Sequence, residues 1–142
     1  MKKIAIFNHK GGVSKTTTAF NIGWKLAQKG KKVLLVDADS QCNLSLYSLG
    51  TKEFNRFYLS ENKNNIKDAL EPAFKAKPRL IEAIDCIQIP QNSNLYLLPG
   101  SLDLSECEVQ LGLSFQLTES VGALENLPGS FNYLFDKVAS RY

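Results

Sequence analysis

The 142-residue chain is poor in several residues on which whole classes of function depend: it has three cysteines, one histidine, one tryptophan and one methionine. Cys42, Cys86 and Cys107 are odd in number, widely spaced and form no C-x-x-C pair. That spacing excludes a disulfide framework, and the three read as free thiols in a reducing compartment. His9 stands alone, without the companions a zinc site needs, and is expected to be neutral and packed. No apolar run approaches the ~20 residues of a membrane span. Met1-Lys2-Lys3-Ile4 leads straight into an apolar segment and lacks a signal-peptide core. A cytoplasmic protein with no membrane segment is the expectation. Strong charge of one sign is also missing, the net value being only +3. Lys2, Lys3, Lys29, Lys31 and Lys32 are the visible basic clusters and read as a solvated face, because nucleic-acid affinity needs several phosphate contacts acting together. Internal repeats and low-complexity tracts are absent.

What is present is concentrated near the start. His9-Lys10-Gly11-Gly12-Val13-Ser14-Lys15-Thr16-Thr17 follows the apolar segment Ile4 to Phe7, read as a strand, and opens a helix. The strict phosphate-loop pattern G-x-x-x-x-G-K-[ST] fails, because His9 and Ser14 stand where it requires glycines. The form K-G-G-x-x-K-[ST] fits. Gly11 and Gly12 let the backbone approach a ligand closely, and successive N–H groups with the new helix end make an anion-binding nest. Lys15 supplies a point charge for the β- and γ-phosphates of a nucleotide, and the Thr16 hydroxyl is placed to ligate Mg²⁺. The expected phosphate-contacting set is Gly11, Gly12, Val13, Ser14, Lys15, Thr16 and Thr17. Lys10 is a second, unusual lysine ahead of the glycine pair.

Beyond the loop, Ala19, Phe20, Ile22, Gly23, Leu26 and Ala27 form an apolar stripe at helical spacing, and Gly30 is a natural stop. The run Val33 to Val36 has the continuous apolar character of a strand buried on both faces. Asp37-Ala38-Asp39 follows it, placing two carboxylates at the carboxyl end of a parallel strand, where α/β folds bind ligands. There Asp37 and Asp39 can hold Mg²⁺ through waters or orient an attacking water; the plainer reading is that they simply cap the next helical segment, which they could also do in addition.

From 4 to 45 (IAIFNHKGGVSKTTTAFNIGWKLAQKGKKVLLVDADSQCNLS) and from 95 to 111 (LYLLPGSLDLSECEVQL) the chain resembles the ParA/Soj partition ATPases and their MinD relatives. The resemblance implies an α/β fold of the P-loop NTPase type, a mostly parallel sheet flanked by helices, with ATP and Mg²⁺ as cofactors. It further implies an ATP-dependent homodimer, a ParB-like adaptor as partner and non-specific DNA binding, so that the ATPase acts as a switch in partitioning. Lys10 resembles the signature lysine that reaches a dimer partner's phosphates. Lys15 and Thr16 resemble the phosphate and Mg²⁺ contacts made in cis. Asp39 resembles the switch I aspartate needed for hydrolysis, making Lys10, Lys15 and Asp39 the catalytic set; Asp37 resembles a second carboxylate near the metal, beside Thr16 and Asp39. Ser40 replaces the proline usual in the family's D-x-D-P-Q, which removes a fixed φ angle.

The family's Walker B strand has no counterpart here. Phe131, Leu134, Phe135 and Val138 fall at helical spacing, so 130 to 141 reads as a helix. Residues 1–142 are therefore expected to be the N-terminal portion of one ATPase domain, incomplete at the C-terminus and inactive in isolation. In the middle, Ile66 to Lys75 reads as a short amphipathic helix, Cys86 to Pro90 and Leu95 to Pro99 as strands, and Leu102 to Leu117 as a helix. Residues 52–94 carry no recognisable chemistry. The competing readings are a MinD-like spatial regulator, which needs an amphipathic membrane helix, and a non-catalytic nucleotide-binding module.

Overall fold

The computed structural model describes residues 1–60, 64–74, 81–106 and 127–140. Helix α1 (Lys15–Gln28) leads to strand β1 (Val33–Val36), then α2 (Asn43–Leu59) and α3 (Ile66–Phe74). Strands β2 (Ile87–Gln88) and β3 (Leu95–Leu98) follow, and α4 (Leu127–Ala139) comes last. The sheet order is β1-β3-β2, with β1 and β3 parallel and β2 and β3 antiparallel. Val33 is in register with Leu95 and Val36 with Leu98.

Period-two alternation along the strands divides the core into two halves. Leu35, Leu95 and Leu97 join Ala27, Leu44 and Ile89 on one face, with Phe20 and Trp24 of α1 packed against them. Leu98 turns to the opposite face and meets Ile66, Leu70 and Ala73 of α3, and Leu134 and Val138 of α4. The sheet is therefore sandwiched between helices, which is the α/β architecture expected from the resemblance. The close seat of α1 on β1 is made at Gly23, where a Cβ would lie 2.7 Å from Leu35 Cδ2.

Local patterns account for most elements. β1 is a four-residue apolar run between polar flanks, and β2 and β3 are joined by a turn in which Asn92 N–H donates to the Ile89 carbonyl at 3.0 Å. The helix read over 130 to 141 is α4, beginning three residues earlier. The expected helix from Leu102 turns helical at 104–106, and its remainder lies outside the described residues, as does Cys107.

Two expectations need correction. Ile4 to Phe7 does not form a strand: Ile4 is 72% and Phe7 76% exposed. A strand exists only through its ladder hydrogen bonds, and among the described residues no segment pairs with this one. The N-terminal segment is held instead by Lys3, which forms an ion pair with Asp136 of α4 at 2.7 Å and donates to Asn132. His9 is not packed either; it is exposed, and its ring meets the Phe7 ring edge-on, centroids 4.9 Å apart.

Candidate functional site

The loop ahead of α1 is built by backbone conformation. Asn8 Oδ1 accepts from Lys10 N–H at 2.9 Å, turning the chain into the glycine pair. Gly12 has φ 70°, and Ser14, the residue before the helix, has φ 61°, ψ 22°. Ser14 thus adopts the left-handed conformation of a glycine at a cost of about 1–2 kcal/mol. Its carbonyl accepts from Thr18 N–H at 2.9 Å, but its side chain does not cap α1. The first-turn N–H groups of α1 are consequently without a side-chain cap, which is the condition for anion binding at a helix start.

A Cβ built on Gly11 or Gly12 meets no atom within 4 Å. Protein packing does not demand glycine at Gly11. Lys15 is folded back, its Nζ donating to the Lys10 carbonyl at 3.0 Å. The lysine expected to meet the phosphates is therefore parked on the loop's own backbone, ready to exchange a neutral acceptor for an anionic one. Lys10 and Val13 are exposed. Thr16 lines an open depression of ≈ 300 Å³ with Asn43, Leu46 and Tyr47 of α2. That depression joins the loop to the helix that follows the second motif.

The two aspartates of that motif have opposite surroundings. Asp39 is exposed, and its Oδ1 accepts from Gln41 N–H at 2.9 Å. Asp37, expected beside the metal, is only 2% exposed. Its Oδ2 accepts from both the N–H and the hydroxyl of Ser45, each at 2.7 Å. Ser45 is the third residue of α2, so Asp37 caps that helix from the end of β1, as the capping alternative foresaw. Burial pushes the Asp37 carboxyl above its ordinary range, partly offset by the Ser45 hydrogen bonds. Asp39 alone of the pair is presented outward.

Sequence reasoning missed Ser45, Tyr58 and Gly100. Ser45 Oγ accepts from Gly100 N–H at 3.0 Å, and Tyr58 donates to the Gly100 carbonyl at 2.9 Å. Burial pushes the Tyr58 hydroxyl above its ordinary value. The serine eight residues after Asp37 carried no pattern of its own; only folding brings it back to the strand end.

No three His, Cys, Asp or Glu side chains converge among the described residues.

Comparison with known proteins places this geometry. The AAA domain family AAA_31 matches residues 1–138. The chromosome partitioning protein ParA of Caulobacter vibrioides is 33% identical over 138 residues, 94% of this chain and 46% of that protein. The sporulation initiation inhibitor protein Soj of Bacillus subtilis is 36% identical over 110 residues, 78% of this chain and 38% of that protein. The chain belongs to the ParA/Soj family. It spans less than half the length of these ParA/Soj relatives. Among solved structures, protein DIP2308 from Corynebacterium diphtheriae superposes with a TM-score of 0.69 at 30% identity, covering 78% of this chain and 39% of that one. The Cyanothece McdA(D38A)–ATP complex gives 0.53 at 30% identity, over 74% of this chain and 35% of that one. A cobyrinic acid a,c-diamide synthase from Mycobacterium smegmatis, solved with an ATP analogue and magnesium, gives 0.53 at 28% identity, over 90% and 44%. This ParA/Soj-family chain therefore shares its fold with proteins seen holding ATP or an ATP analogue.

Proposed function

We propose that the chain binds ATP with Mg²⁺ and forms part of an ATPase that works as a switch in partitioning or positioning DNA. The observation that carries this reading is the loop over α1, with its uncapped helix start, open glycine pair and Lys15 parked on the Lys10 carbonyl. The backbone N–H groups from Gly11 to Thr17 cradle the phosphates, and Lys15 turns from the loop carbonyl onto the β/γ oxygens. The Thr16 hydroxyl and the exposed Asp39 carboxylate would supply oxygens toward the ion. Held there, Mg²⁺ would supply charge neutralisation at the phosphoryl group. Asp39, exposed and acceptor-only, orients the attacking water. Lys10, free to extend from the loop surface, serves the phosphates of a second copy, so that ATP favours a homodimer. A ParB-like adaptor and non-specific DNA are the partners this family reading supplies.

Titration calorimetry with the full-length ATPase of which this chain is proposed to form part tests the site. Lys15→Ala is expected to weaken ATP binding by ~1.5–3 kcal/mol, the value of a hydrogen bond to a charged group. Lys10→Ala should spare that binding while abolishing ATP-dependent dimers in light scattering. Equal ATP affinity for wild type and Lys15→Ala would overturn the reading.

A further inference from the structure

The two aspartates of the second motif divide their work, and a buried hydrogen-bond chain shows how. Asp37 follows β1 directly, its N–H still donating to the Leu98 carbonyl of β3 at 3.1 Å. Both strong bonds to its carboxylate come from Ser45, and the Ser45 hydroxyl passes the connection to Gly100 N–H. The Gly100 carbonyl is taken by Tyr58, in the last turn of α2. One peptide segment after β3 is thus gripped by both ends of α2. The grip is tight: a Cβ on Gly100 would stand 3.0 Å from Cys42 Sγ and 3.1 Å from Asp37 Cγ. Ser45 is fully buried, so water does not compete for these bonds.

We propose that Asp37 and Ser45 are positioning residues of the nucleotide site, locking the Asp39–Asn43 loop and the start of α2 onto the turn at Gly100. The proposal rests on the nucleotide reading above. Asp39 and Asn43 lie between the residues this chain holds, and Asn43 shares the depression with Thr16. Where Asp39 stands relative to Thr16 is therefore decided by the Asp37–Ser45–Gly100 chain. Asp37 Oδ2 is taken by Ser45 and its Oδ1 accepts from Asp39 N–H at 3.4 Å, whereas the exposed Asp39 carboxylate is left for the ligand. A displacement of about 1 Å at such a carboxylate can cost ~100-fold in rate while leaving the phosphate loop intact.

The test compares Asp37→Asn, Ser45→Ala and Ser45→Thr in the full-length ATPase of which this chain is proposed to form part, reading ATP turnover, Mg²⁺-dependent ATP binding and amide hydrogen exchange at Gly100. Ser45→Ala is expected to speed Gly100 exchange and lower kcat about tenfold or more, with a much smaller change in KM. Ser45→Thr, which restores the hydroxyl, should recover both. Asp37→Asn keeps an oxygen for the two Ser45 donors, so Gly100 should remain protected and the Mg²⁺ requirement should match wild type. A raised Mg²⁺ requirement in Asp37→Asn with Gly100 still protected would make Asp37 a metal ligand and overturn the proposal. Normal kcat in Ser45→Ala would overturn it too. If wild type fails to bind MgATP, the nucleotide reading itself falls and takes the proposal with it, an outcome distinct from either of these.

Discussion

Ser14 and Cys42 share a conformation that side chains rarely adopt, with φ 61° and 51°, and each sits one residue before a helix. Both cost about 1–2 kcal/mol that glycine would not, and both lie in the loops that carry the motifs. Backbone strain of this kind persists only where the surroundings over-determine it. At Cys42 the surroundings are visible: the side chain is fully buried, and its N–H donates to the Asp39 carbonyl at 2.9 Å. Burial also pushes its thiol above the ordinary value, so that at neutral pH it carries less thiolate than a free cysteine. Iodoacetamide at neutral pH should therefore label half-buried Cys86 at least about tenfold faster than Cys42, because reactivity follows thiolate fraction and access. Peptide mass spectrometry over a time course reads both sites, and equal rates would contradict the buried position of Cys42.

At the scale of elements, α2 is two helical pieces joined at Gly50, whose φ 74°, ψ 161° lies outside any helical region. The break lets the first piece place Ser45 under Asp37 while the second returns Tyr58 to Gly100. An L-residue is strained in that conformation even though a Cβ there would meet nothing within 4 Å. Gly50→Ala is accordingly expected to destabilise by about 1–3 kcal/mol, although alanine is the better helix former. Denaturant unfolding measures it; a stabilised variant would mean that the break is not needed. Ile4 to Phe7 makes the converse point. Its apolar residues suit a strand, yet without a paired neighbour among the described residues the segment stays outside the sheet, and Lys3 tethers it to α4 instead. Exposed on both partners, that tether is worth at most about 1 kcal/mol.

For the whole molecule, the decisive feature is that one small sheet serves two cores. Leu97 closes the face toward α1, and Leu134 closes the face toward α3 from α4; neither side chain is exposed. Replacing either with alanine should cost about 2–5 kcal/mol through lost burial and the cavity left behind. Since β1 and β3 contribute to both faces, each substitution should lower the midpoint of a single cooperative transition. Circular dichroism and tryptophan fluorescence would show this together, Trp24 reporting the α1 face. Separate transitions for the two probes in Leu134→Ala would show that the halves fold independently.

Patterns contained within a few neighbouring residues were legible without coordinates. The turn at the glycine pair, α1, β1, the β2–β3 pair and α4 all follow from local spacing, glycine placement or a continuous apolar run, because the forces that set them act over one or two turns of chain. At Ser14 the sequence shows only a serine where glycine is usual; its left-handed conformation is seen in the structure. Tertiary structure decided what local pattern leaves open. Which donors reach Asp37 depends on where Ser45 returns, and whether Gly100 tolerates a side chain depends on Cys42 and Asp37 arriving beside it. Whether Ile4 to Phe7 becomes a strand depends on a partner's backbone. Each of these is a contact between segments far apart in sequence. A buried carboxylate takes whichever donors the fold delivers to it, and for Asp37 those are the amide and hydroxyl of Ser45.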